Sequence, residues 1–285
     1  MRFLVAECEP PHAREKRRES VGRSSGETYL KVLHTLAPGA ECDSVKPADS
    51  RAEIPSRDAL ANYDAVFLTG SPLHLWQDSP EARRQIDFMQ AVFASGTPSF
   101  GSCAGLQVAC VAAGGRVRPM GQRREAGFAR RLFATDAGRG HPLLDGRPAS
   151  YDAPAIHTDE VAELPRGATL LASNRVTHVQ AAEIRCGDGV FWGVQYHPEI
   201  SLREVAAALR RQSDDLLEHG LARSDADVEQ LAHHVDALHA EPDRADLAWR
   251  LGLDDQVTVP EHRTRELRNF IENLVKPTRA KRGRD

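Results

Sequence analysis

The sequence predicts an α/β fold: an open, mostly parallel sheet with helices on both faces, followed by a helical addition. Three observations predict it. Short apolar runs alternate with helical stretches through about residue 200. Strands that alternate with helices imply a parallel sheet covered on both sides. After Ile200 the character changes, and apolar residues recur only at three- and four-residue spacing.

The elements follow in order. Residues 2–6 read as a first strand. Residues 28–36 carry Tyr29, Leu30, Leu33 and Leu36 at helical spacing. Residues 64–69 are an apolar run ended by Gly70-Ser71-Pro72, hence strand then turn. Ser79 suits an N-cap and Pro80 a first helical position; that helix runs through Ile86, Met89 and Val92 to Gly96. Residues 97–100 form a brief strand, Gly101 starts a tight turn, and residues 103–113 form a helix stopped by Gly114-Gly115. Residues 116–144 read as connecting strands and loops with an antiparallel part. Further strands are expected at 169–172, 179–185 and 190–196, and helices at 201–218, 225–239 and 264–274.

This divides the chain into an α/β domain (1–200), a helical insertion (201–262), a closing helix of the α/β domain (263–275) and a basic tail (276–285) expected to be disordered. The later helices are expected to pack on the same core as the sheet. The functional reading of the insertion is a lid or docking surface; the plain reading is an extra packing layer.

Composition narrows the function classes. A net charge of −4 gives no footprint for nucleic acid or an anionic membrane, so neither is expected as a partner. The basic runs at 14–18 and 276–284 read as solvated surface. The first strand turns acidic at Glu7, too early for a secretory leader, and no apolar run is long enough to span a bilayer. The five cysteines, Cys8, Cys42, Cys103, Cys110 and Cys186, are odd in number and form no CxxC pair. Free thiols in a reducing, cytoplasmic compartment follow as the expectation. His233 and His234 diverge on a helix, and Glu229 with His233 is one pair, so no metal site is expected.

Two segments carry chemistry. Gly101-Ser102-Cys103-Ala104-Gly105-Leu106-Gln107 lies between a strand and a helix. A cysteine on such a turn is exposed at the strand's carboxyl end, needs small neighbours, and sits where the helix dipole favours a thiolate. On this motif alone a nucleophile and a small buried hydrophobe are both open readings. Val194-Gln195-Tyr196-His197-Pro198-Glu199 closes an apolar strand. Residues two apart on a strand share a side, so His197 and Glu199 can face one site. An imidazole can take the thiol proton and hand it to a leaving group, with the carboxylate fixing its tautomer. The alternative is a solvated strand end.

Together these segments resemble the class I (triad) glutamine amidotransferases, whose motifs are G-x-C-x-G-x-Q and H-P-E. The resemblance runs from about Arg2 to Ile200 and resumes near Leu267–Leu274. It implies that family's open sheet and a glutaminase site: Cys103 as nucleophile, His197 as base then acid, Glu199 as its orienter. Leu68-Thr69-Gly70-Ser71-Pro72 is similar to the family's G-G-P turn. It implies an oxyanion hole of the Ser71 amide, or the Gly70 amide, with that of Ala104. Gln107 matches the motif glutamine that helps hold substrate. Ile156-His157-Thr158-Asp159-Glu160-Val161 resembles the S-H-G-D-x-V loop in the amidotransferase part of GMP synthetases, so His157 and Thr158 are candidate substrate contacts; for His157 a structural hydrogen bond is an equal reading.

The departures bear on the substrate. Ala104 replaces a larger residue, Ser71 a glycine, and Ile156 and Thr158 a serine and a glycine. The implied substrate is glutamine or another γ-glutamyl small molecule, cleaved through a thioester with no metal, flavin or nucleotide. The alternatives are a hydrolase of γ-glutamyl peptides or amides and a catalytically quiet regulatory subunit. No P-loop and no S-G-G-x-x-S run occurs, and the residues after 200 leave no room for a synthase, so any ammonia acceptor is expected as a partner in trans.

Overall fold

The structure, a computed structural model, describes residues 1–121 and 124–284. Gln122 and Arg123, in the connecting stretch, and Asp285, which ends the basic tail, lie outside the described residues.

Strand β1 (Arg2–Ala6) leads through α1 (Pro11–Val21) and α2 (Ser25–Leu36) to β2 (Glu41–Val45). The chain then runs through α3 (Arg57–Leu60), β3 (Ala65–Leu68), α4 (Pro80–Ser95), β4 (Ser99–Ser102) and α5 (Ala104–Ala112). Seven strands follow: β5 (Arg116–Pro119), β6 (Glu125–Ala134), β7 (Tyr151–His157), β8 (Asp159–Glu163), β9 (Thr169–Ser173), β10 (Ala181–Cys186) and β11 (Gly189–Val194). The rest is helical: α6 (Leu202–Arg211), α7 (Ser213–Glu218), α8 (Asp225–Ala240), α9 (Ala245–Leu251), α10 (Asp255–Thr258), α11 (Pro260–Arg263), α12 (Arg265–Phe270), a π-turn at Ile271–Val275, and α13 (Lys276–Lys281).

A nine-stranded sheet runs in the order β2-β1-β3-β4-β11-β10-β9-β6-β7, with β5 and β8 paired apart from it. The first five strands are parallel neighbours and the remainder pair antiparallel. The mostly parallel α/β class is as expected. From β1 the strand order departs both ways, to β2 on one side and β3 on the other. Such a reversal opens a crevice at the strands' carboxyl ends.

Local chemistry fixes the helix starts. Capping boxes Ser24–Glu27 and Ser201–Glu204 open α2 and α6, and Ser79 with Pro80 opens α4. Each cap satisfies amides that the first turn leaves without partners, contributing about 1 kcal/mol. One face of the sheet buries an aromatic cluster in which Phe270 of α12 meets Phe67, Phe100 and Trp192. The other face buries Phe88, Met89 and Val92 of α4 with Leu106 and Val108 of α5.

Four expectations need correction. Helices α6 to α10 do not share the sheet's core: Val205, Leu209, Val228, Val235 and Leu247 bury one another in a separate cluster that only Ala126, Phe128 and Ile156 join from the sheet. The helix expected over 201–218 breaks at Gln212, whose ψ of 18° ends α6 and starts α7. The run at 14–18 is not all solvated surface, because Arg14 is buried and donates to both oxygens of Asp49 at 2.9 and 2.6 Å. The basic tail is ordered through residue 284: Lys276–Lys281 is helical, Arg282 donates to Gly96 O at 2.7 Å and Arg284 to Ala61 O at 2.8 Å. Half-buried carbonyls at the C-caps of α4 and α3 give these arginines fixed acceptors.

Candidate active site

The crevice gathers the carboxyl ends of β1, β3, β4 and β11. Cys103 follows β4 directly and precedes α5 with φ 53° and ψ −110°, a conformation that L-residues rarely adopt. Such strain costs on the order of 1–3 kcal/mol and persists only where the surroundings impose it. Here they do: the Cys103 amide donates to Val194 O at 2.8 Å, and the flanking glycines let α5 approach the sheet. A β-carbon on Gly101 would come within 2.8 Å of the Gly105 backbone, and one on Gly105 within 2.6 Å of Leu68 O.

His197 and Glu199 follow β11, and the structure brings both to Cys103. The His197 amide donates to Pro154 O at 2.7 Å, and ring Nδ1 lies 2.7 Å from Glu199 Oε1. With Nδ1 so held, Nε2 is the nitrogen left to exchange a proton with Cys103, which lines the same cavity and whose Sγ lies 3.9 Å from Ile156 O. Burial alone would push the His197 pKa down, but the charges of Glu199 and Cys103 outweigh it and hold the imidazolium up to about 10.

Behind Glu199 stands a relay that the sequence did not reveal. Ser102 Oγ donates to Glu199 Oε1 at 3.0 Å, and Tyr29 OH lies 2.7 Å from Ser102 Oγ. Burial, then the Glu199 charge, push the Tyr29 phenol well above its ordinary pKa, so it stays protonated and donates to the serine. Ser102 lay inside the quoted motif; its hydroxyl, facing away from Cys103 along the strand, was the available signal.

Gly70 and Ser71 follow β3 and line the same cavity as Cys103. Ala104 is the first residue of α5, so its N–H has no intrahelical acceptor. The three substrate-contact expectations fare differently. His157 has both ring nitrogens taken, Nδ1 by Asp159 O at 2.9 Å and Nε2 by Glu125 Oε2 at 2.8 Å, so it is a buried structural histidine. Gln107 is buried too, and its Nε2 donates to Asp159 O and Gln195 Oε1 at 3.1 and 3.3 Å. Thr158 sits outside the cavity wall, its carbonyl accepting from Met120 N at 2.9 Å. Of that loop only Ile156 reaches the cavity.

The cavity itself, about 250 Å³, extends from Cys103 past His197 and Glu199 to Ile200 and Glu204. Its far wall is α1, through Ala13 and Arg17, and α6, through Ala208 and Arg211. The helical insertion thus forms part of the site. Arg17 donates to Glu204 at 3.1 Å and joins the two helices. Burial alone would raise the Glu204 pKa, but Arg17 and hydrogen bonds from Ser201 and Thr28 outweigh it and hold the carboxylate below its usual range. Arg211, by contrast, is pushed down to about 10 by burial and by Arg17 beside it. Glu9, at the end of the β1 loop, is raised by burial against the pull of Arg17 and Ser25. Among the described residues, no group of three or more His, Cys, Asp or Glu side chains could hold a metal. Among them too, no helix is long and apolar enough to cross a membrane.

A strained cysteine at a strand-to-helix turn, sharing a cavity with an imidazole that a carboxylate holds, is equipped for covalent acyl transfer. Residues 28–213 match the family model described as "Glutamine amidotransferase class-I". The chain belongs to the class I glutamine amidotransferase family. It is therefore an amide-cleaving enzyme. It is 35% identical, over 99% of its own length and 95% of the relative's, to a γ-glutamyl-L-1-hydroxyisopropylamide hydrolase of a Pseudomonas species. It is 34% identical over 55% of its length to a glutamine-hydrolysing GMP synthase of Leifsonia xyli, but spans only 30% of that protein. A glutamine amidotransferase of Thermotoga maritima superposes with a TM-score of 0.63 over 97% of this chain and 98% of that one; at 17% identity this likeness concerns the fold alone.

Proposed function

We propose that this family member hydrolyses γ-glutamyl amides whose nitrogen carries a small substituent. The observation that carries the reading is what else lines the cavity. His197 must protonate the departing nitrogen, so the leaving group lies on its side of Cys103. The same cavity is also lined by Ile200, Ala13 and Ala208, apolar surface beyond the residues that carry the chemistry. Ammonia needs no such space, whereas a two- or three-carbon amine does. The full-length likeness to a hydrolase whose name specifies a substituted γ-glutamyl amide supports the same reading.

The Cys103 thiolate adds to the γ-carbonyl carbon, and the amides of Ser71 and Ala104 receive the oxyanion. One well-placed donor of this kind contributes about 3–4 kcal/mol to the transition state. His197 gives its proton to the amine, the C–N bond breaks, and a γ-glutamyl thioester remains on Cys103. His197 then takes a proton from water, which attacks the thioester and releases glutamate. Glu199 keeps Nδ1 protonated throughout.

Plain glutamine hydrolysis, with ammonia passed to a synthase in trans, is the second reading, favoured by the match to the amidotransferase part of GMP synthases. Steady-state kinetics with γ-glutamylisopropylamide, glutathione and glutamine separate them. The substituted amide should exceed glutamine in kcat/KM by about tenfold or more, the worth of one or two buried methyl groups. A preference for glutamine over both others would overturn the proposal and leave the amidotransferase reading.

A further inference from the structure

A second cavity, about 550 Å³, lies between α2, α6 and the closing helices, behind the active site. Five cations converge on it from separate elements: Arg23 before α2, Lys31 within it, Arg203 on α6, Arg263 at the end of α11 and Arg268 on α12. Among the described residues, no carboxylate lies within ion-pair distance of any of the five. Buried arginines elsewhere among the described residues do find carboxylates, as in Arg14 with Asp49 and Arg147 with Glu266. Of the three carboxylates on the wall, Glu199 is held by His197 and Ser102, and Glu204 by Arg17 and Thr28. Glu204 and Glu261 both act on Arg263, but two carboxylates, one of them already paired to Arg17, face five cations.

Arg263 is the decisive member. It is only 8% exposed, and Nη1 donates to Val257 O at 2.8 Å while Nε has no partner. Burial pushes the Arg263 pKa down against the pull of Glu204 and then Glu261, neither of which comes within ion-pair distance. A guanidinium buried with no directly paired carboxylate carries a desolvation cost that a bound anion would offset. The field acts on a neighbour as well: burial, then the charges of Arg263 and Arg203, push the His239 pKa down.

We propose that this cavity is a second, non-catalytic site that binds a phosphorylated small molecule through Arg203, Arg263 and Arg268, with Arg23 and Lys31 contributing charge. Three guanidinium forks from three elements suit a tetrahedral phosphate, whose oxygens face several directions; a carboxylate presents two oxygens in one plane. A concavity of this size holds a small molecule, and the net charge of −4 gives no extended basic face for a nucleic acid. The inference stands apart from the γ-glutamyl reading, because it concerns different residues and a different ligand. The two sites nonetheless share a wall. Glu199 and Glu204 line both cavities, and α6 carries Arg203 to one and Ala208 to the other.

Calorimetric titration and thermal unfolding of the full chain with pyrophosphate, at constant ionic strength, test it. The expected result is saturable binding with Kd below about 1 mM and a Tm rise of about 2 °C or more at saturation. Because Arg263 is buried, its loss endangers the fold, so the decisive variant is the exposed pair R203Q/R268Q. It should bind pyrophosphate at least tenfold more weakly while retaining amide hydrolysis. No saturation beyond that given by sodium chloride overturns the site, as does unchanged binding in the double variant. Citrate binding as tightly as pyrophosphate overturns the phosphate assignment.

Discussion

Gly70 and His197 are packed so closely that a β-carbon on Gly70 would sit 2.6 Å from His197 Cε1. The ring cannot withdraw freely, because its other side is tied to Glu199. The Gly70 backbone itself is of a kind any residue adopts, so alanine there acts through the imidazole rather than through strain. Gly70→Ala should lower kcat by about 100-fold, the scale of a 1 Å misplacement of a catalytic group, with Tm almost unchanged. Activity within twofold of wild type would show that the ring is not held where the structure has it.

Glu199→Gln keeps the shape of the relay but offers Nδ1 a neutral partner and removes the carboxylate's charge. Its carbonyl oxygen can still accept from His197 and Ser102, which meet at Oε1 in the native protein, with the amide nitrogen at the unpartnered Oε2 position. The loss of kcat should be about 100-fold or more, with KM for the γ-glutamyl amide little changed. Ser102→Ala, one step further along the relay, should cost less. A larger effect from Ser102→Ala than from Glu199→Gln would contradict the order of the chain from Tyr29 to His197.

The proton on His197 carries a pH dependence of stability. Its folded pKa of about 10 lies above the ordinary 6.5, so the folded state holds this proton more tightly than the unfolded chain. Stability from this source is complete below about 6.5 and is lost as pH rises through about 10. Cys103→Ala removes one of the two negative partners and should shrink that loss. Urea unfolding at several pH values across this window, for both proteins, measures it. Identical pH profiles would mean that Cys103 carries no charge opposite the imidazole. The alkaline limb of kcat/KM should fall in the same upper range, where the imidazolium loses its proton.

How much of this could be read from the chain follows from how local each feature is. Cys103, His197 and Glu199 were legible because nucleophile chemistry needs certain residue types at one turn and one strand end. The sheet was legible because its parallel strands are short apolar runs divided by helices. His157 was not resolved from sequence, since its partner Glu125 is brought opposite it only by the β6–β7 register. Arg17 and Arg211 carried no signal, because α1 and α6 meet only once the sheet has set both at the same strand ends. The separate core of the insertion was hidden for a similar reason: an amphipathic helix shows that it has a buried face, not which neighbour covers it.

Ala13 tests the leaving-group cavity from its far wall. It is partly exposed on α1 and lines the cavity beyond His197, so a larger side chain there fills space without overpacking a core. Ala13→Leu should reduce kcat/KM for γ-glutamylisopropylamide by about 10-fold, the effect of removing room for one or two methyl groups. Turnover of glutamine, with only ammonia to place, should change by less than about twofold on the same reasoning. Equal losses for both substrates would remove the link between this wall and the amine.

Arg147 and Glu266 join the closing helix to the loop before β7 through a bidentate pair at 2.7 Å for each bond, with side chains 2% and 0% exposed. Tyr196 OH donates to the same carboxylate at 2.7 Å, directly before His197 in the chain. The Arg147 guanidinium also stacks 4.6 Å from the Tyr151 ring. Removing one partner of such a pair leaves a charge buried without compensation. Glu266→Ala should therefore destabilise the protein by about 3–5 kcal/mol in urea unfolding. Replacing both residues with apolar ones of similar volume, Arg147→Met with Glu266→Leu, should recover much of that loss, since the desolvation of two charges is relieved together. Tyr196 would then lack an acceptor other than Tyr151 OH, 3.0 Å away, so the recovery should be incomplete. A double variant no more stable than Glu266→Ala would show that packing of the closing helix, rather than the stranded charge, sets the cost.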